Sequence, residues 1–181
     1  MIFLEVCLFN DKVKLIPYSD KHDMQTIKWL KDPEVYLSFG LTRRITLNSH
    51  REWVKSLKNT LIWAIYDVDN FKHQGNIILK IDVPENSAYL QIYIGNGKYR
   101  NKKIGYNSMK CVINFAFNFL DISKLWLHVF PDNVKAINLY MKLGFNIEAT
   151  EKLSHYYNGE YKDQMRYSLL KMYWVKKENN N

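Results

Sequence analysis

The stretch Leu125-Trp126-Leu127-His128-Val129-Phe130-Pro131-Asp132-Asn133-Val134-Lys135-Ala136-Ile137-Asn138-Leu139-Tyr140-Met141-Lys142-Leu143-Gly144-Phe145 changes rhythm part-way along. Residues 125–130 read as a strand, and residues from about 134 to 143 as a short helix. Gly144 is placed to end that helix, because a helix C-terminus favours a residue tolerant of the left-handed conformation. On this helix Asn133, Ala136 and Tyr140 fall on one stripe, at i, i+3 and i+7. The small Ala136 leaves room on that stripe beside Tyr140.

Upstream lies a second informative segment, Gly95-Asn96-Gly97-Lys98-Tyr99-Arg100-Asn101-Lys102-Lys103-Ile104-Gly105, between a strand and a long helix expected over about 105–120. It is dense in positive charge. The free amides of a helix's first turn point out of its end, and the macrodipole adds about half a positive charge there. Lys and Arg nearby add more, so the junction suits a pyrophosphate; a solvated basic loop is the plainer alternative. Two other phosphate motifs are absent from the segment. It has no G-x-x-x-x-G-K-[ST], and Gly95-x-Gly97 lacks the third glycine of a dinucleotide fingerprint, position 100 being Arg.

The remaining elements are consistent with one α/β (α+β) domain. Residues 13–19 read as a strand that stops where Ser19 and Asp20 open a helix carrying Met24, Ile27 and Leu30, with Pro33 ending it. A second helix is expected over 48–57, capped by Asn48 or Ser49. Strands over 61–68, 75–83 and 88–95, separated by turn-forming residues, imply an antiparallel meander. A late hairpin is signalled by Asn158-Gly159, flanked by Tyr156, Tyr157 and Tyr161. No repeat or linker divides the chain, so residues 1–175 are expected to form a single domain and 176–181 a polar, disordered tail.

Composition narrows the classes. At 181 residues, 47% hydrophobic and 15% aromatic, the chain has the apolar content for a sizeable core. Its 26 basic against 18 acidic residues favour an anionic partner, whether nucleic acid, an acidic membrane surface or a phosphate-bearing cofactor. Apart from Lys98 to Lys103 these charges are dispersed, which argues against a nucleic-acid interface. The two cysteines, Cys7 and Cys111, indicate neither a disulfide framework nor a metal site. The first ten residues lack a basic leader and are interrupted by Glu5, and no apolar run is long enough for a bilayer, so a cytoplasmic protein is expected.

The two segments together resemble the GNAT superfamily of N-acetyltransferases. The first is similar to its acetyl-CoA loop, [R/Q]-x-x-G-x-[G/A], at Arg100 and Gly105, with Lys103 standing in place of the first glycine. If that position demands positive φ, lysine costs on the order of 1 kcal/mol there. The second is similar to the family's N-x-x-A-x-x-L-Y-x-K-x-G-F block at Asn133, Ala136, Leu139, Tyr140, Lys142, Gly144 and Phe145. The resemblance implies a mixed, mostly antiparallel sheet of about seven strands with about four helices, splayed at the fourth and fifth strands.

It also implies roles. Acetyl-CoA, with no metal, would be held by Ile92, Tyr93, Ile94, Lys98, Arg100, Asn101, Lys102, Lys103, Ile104, Gly105, Tyr106, Asn133, Ala136 and Tyr140. Tyr140 would be the acid that protonates the departing thiolate, and a backbone amide in residues 91–94 would hold the thioester oxygen. Amine acylation needs a base, and His128, near neutrality and on the strand before Asn133, is the first candidate. Many relatives place an acidic base where this chain has Tyr89, which leaves Asp82 or Glu85 acting through water, or no dedicated base, as alternatives. Acceptor contacts are expected from the loop 36–45 and the late hairpin, through Tyr36, Phe39, His155 and Tyr157.

The implied activity is acetyl transfer to a primary amine of a small molecule, of polyamine or amino-sugar type, as in the RimJ/RimL-like branch and its relatives. Protein N-terminal acetylation and a non-catalytic acyl-CoA sensor are the rival readings. The expected partner is the small amine, with neither nucleic acid nor membrane, and with room for a homodimer.

Overall fold

The computed structural model describes residues 6–95, 103–157 and 159–179, with side chains described as far as residue 175. Its strands are β1 (Leu8–Phe9), β2 (Val13–Pro17), β3 (Thr60–Asp67), β4 (His73–Asp82), β5 (Ser87–Ile94), β6 (Lys124–Val129), β7 (Asn146–Tyr157) and β8 (Glu160–Leu170). They form one eight-stranded sheet in the order β1-β2-β3-β4-β5-β6-β8-β7. The expected meander runs from β3 to β5, and β2 extends it, each strand antiparallel to the next. β5 and β6 pair in parallel, which requires a long crossover rather than a tight turn. The count exceeds seven by β1, whose two paired residues, Leu8 and Phe9, are too few to show an alternating pattern.

The crossover is α4 (Ile104–Asn118), joined by α1 (Asp23–Leu30), α2 (Pro33–Ser38), α3 (Leu47–Ser56), α5 (Val134–Leu143) and α6 (Lys171–Asn179). Among the described residues six helices stand where about four were expected, and two local signals explain part of the difference. Pro33 does not terminate α1, which ends before it; it sits at the first position of α2, where a missing N–H costs nothing. Asp32 caps that helix by accepting from the Glu34 amide at 2.9 Å. The loop 36–45 therefore begins as helix. For α3 the cap is Thr46, not Asn48 or Ser49. Thr46 and Ser49 exchange bonds of 3.0 and 3.1 Å in a capping box, so Ser49 is the box's third helical residue.

Each face of the central strands is covered. α4 buries Met109, Val112, Ile113, Ala116 and Phe117 completely against Leu15, Ile77, Leu79 and Leu90. Full burial of one such side chain contributes about 1.5–3 kcal/mol, which makes this helix the main anchor of the core. On the opposite face Trp29 of α1 meets His73 edge-on at 4.7 Å, and Asn76 of β4 donates to Thr26 Oγ1 at 2.8 Å.

Beside α4 the sheet opens. β5 pairs with β6 only through Ser87↔Lys124, Ala88↔Leu125 and Tyr89↔Trp126, yet β5 continues to Ile94 and β6 to Val129. β6 stays paired with β8 from Lys124↔Leu170 to Val129↔Met165, so β5 and β6 diverge beyond Tyr89. This is the expected splay, and it leaves residues 90–93 of β5 without a strand partner on their β6 side.

Candidate active site

The divergence of β5 from β6 opens a cleft of about 870 Å³. One wall is made by Ile92 and Ile94 of β5, the first turn of α4 and the inner face of α5. Lys103, which precedes α4, has φ 59° and ψ 13°, the left-handed region, and gives the helix no side-chain cap. The backbone there needs what the glycine of the resembling motif would supply freely, and lysine adopts it at a cost of about 1–2 kcal/mol. Ile104, Gly105 and Tyr106 follow it into the cleft. A helix end that no side chain caps among the described residues, with a cation beside it, is a donor set that matches a phosphate group. Lys98, Arg100, Asn101 and Lys102 lie outside the described residues.

α5 is aimed into the same cleft by its two caps. Asn133 Oδ1 accepts from the Ala136 amide at 3.2 Å, and Gly144, at φ 100°, closes the other end with its N–H on Met141 O. Asn133, Ala136, Leu139 and Tyr140 face the opening. Tyr140 is 7% exposed and packs on Phe145, with ring centroids 6.1 Å apart. Burial, reinforced by neighbouring Tyr89, pushes the phenol far above its ordinary value, so it stays protonated and can donate. An apolar passage past Ile92, Ile94, Ala136 and Leu139, ending at a neutral phenol, fits the uncharged arm of coenzyme A.

The opposite wall is the other face of β5, β6 and β8. Tyr89, Gln91, His128 and Gln164 line it, and Phe39, Phe130 and Tyr157 close its outer end. Gln91 donates to the Tyr89 hydroxyl at 3.2 Å, and burial raises Tyr89, so it offers no base at ordinary pH. His128 Nε2 donates to Glu151 Oε1 at 3.1 Å, since a carboxylate can only accept. Asp82, the last residue of β4, and Glu85, in the β4–β5 turn, are the alternative bases; both are exposed and neither lines the cleft.

Two residues expected in the acceptor wall stand behind it. Tyr36 packs on Tyr157 with centroids 6.2 Å apart. His155 Nε2 donates to Gly40 O at 2.8 Å and meets Phe130 edge-on at 5.3 Å, tying the hairpin to the α2–α3 connection. Gly40, at φ 65°, permits that approach, because a Cβ there would lie 2.8 Å from His155 Nε2 and 2.9 Å from Phe130. Glu151 carries no sequence signal, since only the register of β6, β8 and β7 brings it to His128, and Gln91 and Gln164 enter the wall through the placement of β5 and β8 alone.

A family model described as an acetyltransferase (GNAT) domain matches residues 12–146. The chain belongs to the GNAT acetyltransferase family. Among relatives of this GNAT chain, the L-amino acid N-acetyltransferase AaaT of Escherichia coli K12 is 30% identical over 158 residues, covering 82% of this chain and 93% of that protein. The spermidine N(1)-acetyltransferase of the same organism is 32% identical over 89 residues, 49% of this chain and 47% of that protein, so the match spans about half of its length. In fold, the GNAT chain is similar to the spermidine N-acetyltransferase from Vibrio cholerae solved with CoA and spermine. The TM-score is 0.83 at 19% identity, over 92% of this chain and 99% of that one.

Proposed function

We propose that the protein is an acetyl-CoA-dependent N-acetyltransferase acting on a primary amine of a small molecule, with polyamines and amino acids as the first classes to test. The observation that carries this reading is the divergence of β5 from β6, which puts Tyr140 on one side of a continuous cleft and His128 on the other. Lys103 and the first-turn amides of α4 would hold the phosphate end of the donor, and Asn133, Ala136 and Tyr140 would line its arm. Bound there, acetyl-CoA supplies an acetyl group already activated as a thioester.

The chain's own groups then divide the work. His128 takes the proton that the amine loses as its nitrogen bonds to the acetyl carbon. An amide of residues 90–93, lacking a strand partner on that side, donates to the carbonyl oxygen. Tyr140 gives its proton to the sulfur as the carbon–sulfur bond breaks. The aromatic end formed by Phe39, Phe130 and Tyr157 suits a cationic amine with an apolar body, which aromatic faces attract by about 0.5–2 kcal/mol per contact. The relatives named for spermidine and for L-amino acids support the same classes.

The test is thiol release from acetyl-CoA across a panel of polyamines, amino acids, amino sugars and N-terminal peptides. Turnover with small amines and none with peptides is expected. Release with peptides alone would replace the acceptor, and acetyl-CoA binding without release to any amine would make the protein a sensor.

A further inference from the structure

The histidine at the acceptor wall is not alone. Glu151 of β7 reaches across β8 to meet His128 of β6, from a stretch whose register with β8 is irregular on both sides. Between Ile147 and Ala149 the register slips, and between Glu151↔Gln164 and His155↔Lys162 four steps along β7 answer two along β8. The second irregularity is pinned. Asp163 accepts from the Leu153 amide at 2.9 Å and from Lys152 Nζ at 2.7 Å, with Leu153 at φ 50°. Bulges re-aim side chains, and the odd slip between Ile147 and Ala149 turns Glu151 to the sheet face that carries His128, Arg166 and Gln164, while the even second offset keeps it there.

The charges on that face are already sorted. Arg166, directly opposite His128 in the β6–β8 register, lies over Trp126 at 4.3 Å and pairs with Glu148 Oε2 at 3.2 Å. Glu148 also pairs with Lys124. Tyr89 of β5 is neutral by burial. Among the described residues Glu151 has no ion-pair partner other than His128. It lines no part of the cleft, whereas His128 does.

We infer that Glu151 is the positioning residue of an acid–histidine pair, holding His128 with its proton on Nε2 and leaving Nδ1 as the unprotonated nitrogen that accepts from the amine. This rests on the reading of His128 as the base. A carboxylate that accepts Nε2–H fixes the tautomer and ring orientation, and it stabilises the imidazolium once Nδ1 has taken a proton. Because Glu151 lines no part of the cleft, it does this without touching the acceptor.

The test joins imidazole 15N spectra of the free protein to steady-state kinetics. In the wild type His128, assigned by the loss of its signals in His128→Gln, is expected to carry its neutral-state proton on Nε2. Glu151→Ala should give a mixture of tautomers and lower kcat about tenfold, with the amine KM within about twofold. Glu151→Gln keeps an acceptor oxygen, so it should retain the tautomer while losing part of kcat. An Nδ1–H ring in the wild type, or a Glu151→Ala protein with unchanged tautomer and kcat, overturns the role of Glu151 alone, provided His128→Gln is inactive. A fully active His128→Gln overturns the base assignment as well.

Discussion

Lys103 shows how a single side chain can serve two ends. Its left-handed backbone is what a glycine adopts without penalty, while its ammonium adds charge at the open end of α4. Lys103→Gly should therefore raise stability by about 1 kcal/mol, or about 3 °C in melting temperature, while weakening acetyl-CoA binding several-fold. A thermal scan and a titration on the same variant separate the two effects. Tyr140 makes the complementary case at the other end of the donor path. Tyr140→Phe keeps the ring in its place on Phe145 but removes the proton, so kcat should fall by about 100-fold with acetyl-CoA affinity unchanged. Both residues were legible in the sequence, because each sits inside a spaced motif. Glu151 was not, since no pattern along the chain relates it to His128.

At the scale of elements, legibility followed the range of the forces involved. α5 runs from Val134 to Leu143 as expected, because its caps, Asn133 and Gly144, are local. The meander was also readable from its strand-forming runs, whereas the splay was implied only by the family resemblance. α2 was hidden because Pro33 reads equally as a stop for one helix or a start for the next, and Asp32 decides between them only through its bond to Glu34. The irregular register of β7 depends on Asp163, a residue of the neighbouring strand, and has no local signal. The contact between the α2–α3 connection and the hairpin gives a prediction at this scale. Gly40→Ala places a Cβ against His155 and Phe130 in a backbone that disfavours alanine. The amine KM should rise about fivefold or more, about 1 kcal/mol, while acetyl-CoA affinity holds.

Across the whole molecule, the layer between α1, α3 and the sheet carries a buried polar cluster that sets the acid limit of stability. His22 is 2% exposed, its Nε2 has no partner among the described residues, and burial first, then His73, lowers its pKa to about 4. Burial also lowers His50 and His73. Below about pH 6.5 the unfolded chain binds protons that the folded chain refuses, so stability is full above that pH and declines as pH falls toward 4. His22 alone is worth on the order of 3 kcal/mol over that window, and melting temperatures from pH 7.5 to 4.5 should drop accordingly, less steeply in His22→Gln. A melting temperature flat across that range would contradict this. Among the described residues no helix is long and apolar enough to cross a membrane.

If the opening between β5 and β6 is the donor site, calorimetric titration of acetyl-CoA should find a single site in wild-type protein, and Ala136→Leu, whose leucine fills the gap on α5, should lose at least tenfold in affinity. No heat of binding in folded wild-type protein, or equal affinity in the two, would contradict it.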